Sequence, residues 1–223
     1  MFRDRRKSVA PPAGAQAAVS ADGSSRTQTA FYARHSHGLE EFFRSLEGRT
    51  GLAILDLAGA SQANVNFITS LGHRLYSEDL YQILEMHFGP GDFYAAQQDP
   101  HRAERFLNEC LNFRDASFDG ALLWDTLEYL ASPLLETAIE RLARVVKPDG
   151  YMLAIFHADE KAQEVMVYSY RIAGAGTLHL SPRARRTPAQ FFNNRAIERL
   201  FRNFRSVKFF LTRDHLREVI VRR

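Results

Sequence analysis

Leu52 to Leu57 is a short apolar run interrupted only by Asp56, and Gly59 follows it within a few residues. Such a run is too short for a stable helix and leaves no polar face for water, so it predicts a strand covered on both sides of a sheet. Strands buried on both faces pair in parallel and need long, usually helical, connections. The chain supplies them. Ala63 to Leu71 reads as a helix closed by Gly72, and Arg74 to Ser77 as a second strand ending at Glu78 and Asp79. Phe118 to Trp124 is a further strand. Pro133 opens a helix with an apolar face at Leu134, Leu135, Ala138, Ile139, Leu142 and Val145. Arg141, Arg144 and Lys147 complement the negative end of its dipole. Pro148 and Gly150 stop it, and Tyr151 to Phe156 returns as a strand.

Ahead of this unit, Phe31 to Leu46 carries apolar residues at helical spacing and reads as one helix stopped by Gly48. Residues 81–113 hold two helical stretches, Tyr81 to Phe88 and His101 to Leu111. A third parallel strand belongs somewhere in that segment, at no position the pattern marks. Val165 to Ile172 and Thr177 to Leu180 read as paired strands, and Asn193 or Asn194 caps a helix over Arg195 to Phe204. Val207 to Leu211 and Arg217 to Val221 are joined by only a few residues and must run antiparallel. Residues 1–26 are rich in Ala, Ser, Pro, Gly and Arg and cannot bury enough apolar surface to offset ordering, so they are expected to be a disordered basic leader before one domain, 27–223.

With 223 residues, 45% of them hydrophobic, the chain can build one substantial core. Its net charge of +3 conceals an uneven distribution. Residues 1–26 carry five basic and two acidic groups, residues 27–182 twelve and 21, and residues 183–223 twelve and three. A basic end on an acidic body admits an anionic partner, including nucleic acid, but arginines that satisfy acidic neighbours are the simpler reading. No apolar run approaches the roughly 20 residues of a membrane span, and the basic N-terminus lacks the apolar centre of a secretory signal. A cytoplasmic protein is expected. The single cysteine, Cys110, forms no internal disulfide and reads as a packing residue.

The order of these elements, the Asp56-Leu57-Ala58-Gly59-Ala60-Ser61 turn, and Val146-Lys147-Pro148-Asp149-Gly150 before a strand resemble class I S-adenosylmethionine-dependent methyltransferases of the type 11 group. The resemblance covers about residues 50–160. It implies a Rossmann-like, doubly wound, mostly parallel seven-stranded sheet with an antiparallel C-terminal hairpin, and S-adenosylmethionine as cofactor. The family pattern Asp-x-Gly-x-Gly-x-Gly is altered: Ala58, Ala60 and Gln62 stand at the three glycine positions, and Gly59 lies between them. The implied cofactor residues are Asp56, Ala58, Gly59 and Ser61 in the turn, and Asp79 with Leu80 after the second strand. Asn108 would stand near the adenine in place of an acidic residue. Trp124, Asp125 and Thr126 would lie beside the methionine end. Asp79 is apt because a carboxylate accepts two hydroxyls at once.

Methyl transfer depends mainly on alignment of the acceptor with the sulfonium methyl, so a strong base is not required. Asp125, Tyr129 and His157 stand at strand ends but read first as packing or turn residues. No metal-binding helix, phosphate loop or nucleophile elbow is present, and no metal dependence is expected. Methyl transfer to a small-molecule acceptor is the leading expectation. The alternative is a non-catalytic member of the fold kept as a binding or interaction module. A nicotinamide enzyme is weaker still, since Gly-x-Gly-x-x-Gly is missing.

Overall fold

The computed structural model describes residues 31–223 apart from 90, 160 and 213, so the leader expected over 1–26 lies outside the described residues. The strands are β1 Tyr32–His35, β2 Ala53–Asp56, β3 Arg74–Ser77, β4 Phe118–Trp124, β5 Val146–His157, β6 Val165–Gly174, β7 Thr177–Arg186, β8 Ser206–Leu211 and β9 Leu216–Arg222. The α-helices are α1 His37–Arg44, α2 Gln62–Ser70, α3 Leu80–Phe88, α4 Pro100–Cys110, α5 Leu134–Val145 and α6 Asn194–Leu200.

One sheet has the order β3-β2-β4-β5-β9-β8. β3, β2, β4 and β5 are parallel, and β9 runs antiparallel between β5 and β8. β2 and β4 are buried along their whole length, as continuous apolar runs require. Alternate residues feed two cores. Leu55, Ala121 and Leu123 pack with α3, α4, α5 and α6, while Ile54, Leu122 and Trp124 pack with α1, α2 and the β6–β7 hairpin.

Three expectations change. The sheet has six strands rather than seven, because residues 80–110 form α3, a short 3-10 turn and α4 where a third parallel strand was sought. The composition explains it: Asp99 accepts from the His101 and Arg102 amides and Pro100 starts the helix, so the local sequence caps α4 strongly. The helix expected over Phe31–Leu46 is split. Ser36, fully buried, caps α1 by accepting from the Leu39 amide at 3.1 Å, and the residues before it pair with β7 instead. That pairing creates a second sheet, β1-β7-β6, laid over α2 and the end of β4.

Lys147 to Gly150 falls within β5, not in a free turn. Lys147 Nζ, 2.9 Å away, donates to Asp119, which also accepts from the Ala53 amide. This polar knot ties β2, β4 and β5 at the edge opposite the cleft and has no part in chemistry. Several arginines of the basic C-terminal stretch meet acidic partners: Arg205 and Arg222 share Asp149, and Arg186 meets Glu85. Among the described residues no helix is long and apolar enough to cross a membrane.

Candidate functional site

The carboxyl ends of the parallel strands open into a cleft of about 660 Å³. Its floor is the turn Ala58–Ala63, one wall is Asp79 and Gln82 at the start of α3, and the other is Ser169–Arg171 of β6 with Arg183 of β7. Open α/β sheets bind ligands at this end of their strands.

Asp56 ends β2 and is fully buried. Its Oδ1 accepts from the Ala58 amide at 3.0 Å and from Trp124 Nε1 at 2.6 Å, and its Oδ2 from Asn64 Nδ2 at 2.7 Å. Burial raises its pKa, and the donors Trp124, Ala58 and Asn64 oppose that rise. Asn64 reaches further: it donates to the Tyr170 carbonyl and accepts from the Ile172 amide at 2.7 Å. One carboxylate and one amide thus lock the turn, α2, β4 and β6 together.

Asp79 follows β3 and pairs with Ala58 across an isolated bridge. Its Oδ1 caps α3 by accepting from the Gln82 amide at 3.0 Å. Both its oxygens also accept from Arg183, each at 2.9 Å. The guanidinium of Arg183 lies over the Tyr81 ring, and that of Arg186 over Phe93, so the β6–β7 hairpin is pinned across the cleft by two arginines. Gly59 has φ +89, and a Cβ there would stand 2.8 Å from Asp79 Oδ2. Only glycine lets the turn approach the carboxylate this closely.

Of the expected residues, Ala58, Gly59, Ser61 and Asp79 line the cleft, and Asp56 stands behind the turn as its anchor. The others lie elsewhere. Leu80 is the first residue of α3 and points into the core. Asn108 is on the outer face of α4, where its Oδ1 accepts from Arg141 at 2.8 Å. Trp124, Asp125 and Thr126 are buried beneath β6, with the Trp124 indole stacked on Tyr170 at 4.7 Å.

Beneath that stack lies a closed polar cluster. Glu128 is fully buried. It accepts from the His157 amide at 2.9 Å and meets His157 Nδ1 at 2.6 Å. Asp125 Oδ2, Tyr129 OH, Tyr170 OH and His157 Nε2 meet no partner among the described residues. Burial pushes the Asp125 carboxyl up to about 7. Burial opposes the charge on His157, but the hydrogen bond and charge of Glu128 outweigh it and raise the imidazole. Cys110, buried in the core, has its thiol pushed up to about 12, so it packs rather than reacts.

Asn64, Tyr170, Gln82 and Arg183 were not anticipated. Asn64 had a local signal, because it lies one turn before the buried Ile68 and so shares the inward face of α2. Arg183 had none: it stands 104 residues from its partner.

The cleft fits S-adenosylmethionine at its turn and ribose positions. Gly59 lets the turn stand against Asp79, whose two oxygens, now taken by Arg183, face the cleft. The Trp124–Tyr170 stack closes the place expected for the methionine end.

The family model described as a methyltransferase domain matches residues 69–154, from the end of α2 to within β5, and begins after the altered turn. No curated protein matches the chain in sequence. Among solved structures, the chain is similar to a SAM-dependent methyltransferase of Methanosarcina mazei (16% identity, 78% of this chain and 93% of that one, TM-score 0.46). It is also similar to the 1,6-didemethyltoxoflavin-N1-methyltransferase of Burkholderia thailandensis, with bound S-adenosylhomocysteine (14%, 90% and 98%, 0.42). A SAM-dependent methyltransferase of Aquifex aeolicus is a third (12%, 82% and 88%, 0.47). The matched segment carries Asp79 and the β4–α5–β5 unit, and over that segment the chain is similar to the methyltransferase-domain family.

Proposed function

We propose that the chain transfers a methyl group from S-adenosylmethionine to a small-molecule acceptor, and that both enter the cleft between the Ala58–Ala63 turn and the β6–β7 hairpin. One observation supports this most: a carboxylate and a positive-φ glycine meet at the mouth of a cleft at the carboxyl ends of parallel strands. A volume of about 660 Å³ is that of small-molecule sites.

When bound, the cofactor supplies an electrophilic methyl on a sulfonium. Asp79 would accept its ribose hydroxyls, a role that needs the guanidinium of Arg183 to withdraw. Gly59 would let the turn backbone approach, and Ser61 and Gln82 offer polar contacts along the same walls. Asp56 acts from behind by fixing the turn. Alignment of the acceptor in the cleft supplies much of the rate.

Calorimetric titration of the full chain with S-adenosylhomocysteine, beside Asp79→Ala, tests the reading. Saturable micromolar binding that weakens tenfold or more in a folded variant is expected. No binding at millimolar ligand would sink it, and would leave the non-catalytic reading.

A further inference from the structure

Away from the cleft, three metal-ligating side chains converge where β1 passes into α1. His35 ends β1, His37 opens α1, and Glu40 lies one turn further. His35 Nε2 and His37 Nδ1 are 3.1 Å apart, and Glu40 Oε2 stands 3.6 Å from the first and 3.8 Å from the second. A point about 2.0 Å from all three atoms falls within the triangle they form, and that is the distance from zinc to imidazole nitrogen or carboxylate oxygen.

We propose that His35, His37 and Glu40 bind a divalent transition-metal ion. A proton shared between the two rings accounts for their separation alone. Glu40 Oε2 stands beyond hydrogen-bond distance of either nitrogen, at ion-pair distance from both, and near enough to share a metal ion with them. The backbone is fixed in advance. Ser36, between the histidines, is buried, caps α1 through its hydroxyl, and donates its own amide to the Gly176 carbonyl at 2.9 Å. Glu40 is held too: Arg44 donates to its Oε1 at 3.0 Å, which leaves Oε2 turned toward the rings. Such outer contacts orient a ligand and tune its donor strength.

On one side the β6–β7 turn closes over the group, since a Cβ on Gly176 would stand 3.0 Å from His35 Cε1. The other side faces solvent, with 55% of His35 and 57% of His37 side chains exposed. Three protein ligands and an open position result. Two imidazoles and one carboxylate suit zinc, nickel, cobalt or copper rather than calcium or magnesium. This site does not depend on methyl transfer.

The test is titration of the full, tag-free chain with Co²⁺, read by visible absorption, and with Zn²⁺, read by calorimetry and thermal melting. The variants are His35→Ala, His37→Ala and, as a control, His101→Ala on the surface of α4. One ion per chain is expected, with a raised melting temperature. Affinity should fall by an order of magnitude or more in each of the first two variants and stay unchanged in the control. No saturable binding below millimolar metal would overturn the proposal. So would binding that survives either histidine substitution, or that His101→Ala weakens equally.

Discussion

Arg183→Ala should tighten S-adenosylhomocysteine binding. Both Asp79 oxygens accept from the Arg183 guanidinium at 2.9 Å, so ribose hydroxyls that use those oxygens must first displace it. With 23% of each side chain exposed, the pair is partly screened. Bridges of this kind contribute about 0.2–1 kcal/mol, and two-point geometry places this one near the upper end. A competitor worth about 1 kcal/mol raises Kd about fivefold, since 1.4 kcal/mol is a factor of ten. Removing it therefore lowers Kd by about that factor, whereas Asp79→Ala raises Kd. Calorimetry on both variants at low and moderate salt reads the effect. Salt weakens the bridge, so added salt should narrow the gap between the wild type and Arg183→Ala. Weaker binding by Arg183→Ala would refute the reasoning, because the guanidinium would then be holding the ligand rather than competing with it.

Asp56→Ala strands the Ala58 amide and the Trp124 indole N–H in a dry environment and should cost about 2–5 kcal/mol in urea unfolding; a loss below about 1 kcal/mol would mean that the network does not stabilise the turn. Gly59→Ala must adopt φ +89 with its Cβ against Asp79, and about 1–2 kcal/mol of destabilisation is expected. Unchanged unfolding would show that the approach is not close. Asp125 gives a pH signature: its carboxyl titrates near 3.8 when unfolded and at about 7 when folded. Between these values the folded state holds the extra proton, so this residue's contribution to stability is full below the unfolded value and declines as pH rises through the folded one. The stability of Asp125→Asn relative to wild type should therefore increase from pH 4 to pH 7, by up to about 4 kcal/mol; a flat difference would refute burial as the cause.

Most of the large sheet was legible in the sequence, because its central strands β2 and β4 are covered on both faces and their apolar runs need no distant partner to be recognised. Phe118 to Trp124 and Arg74 to Ser77 fall where the pattern put them. What was not legible depends on contacts remote in sequence. β1 is a strand only because β7 pairs with it; locally, Tyr32–His35 continues a helical pattern. Trp124 was read as lining the cofactor, but the stack with Tyr170, contributed by β6, takes it out of the cleft. Arg183 is one arginine among many in a basic stretch until the hairpin delivers it to Asp79. The missing third strand is a different case. Residues 80–110 carry clear helical signals, and only the family pattern argued for a strand among them.

The altered turn is explained by where its side chains go. Gln62, at the third family glycine position, is exposed, and its amide donates to Asn66 at 2.7 Å, along α2 and away from the turn. Ala60 is exposed as well, so a methyl there meets little. Ala58 is only partly buried, and its amide is held by Asp56. Gly59 alone in this turn combines positive φ with a Cβ direction that runs into Asp79. The glycine requirement has therefore moved by one position rather than vanished. What fixes it is the carboxylate: as long as Asp79 stands against the turn and faces the cleft, the residue opposite it must lack a side chain.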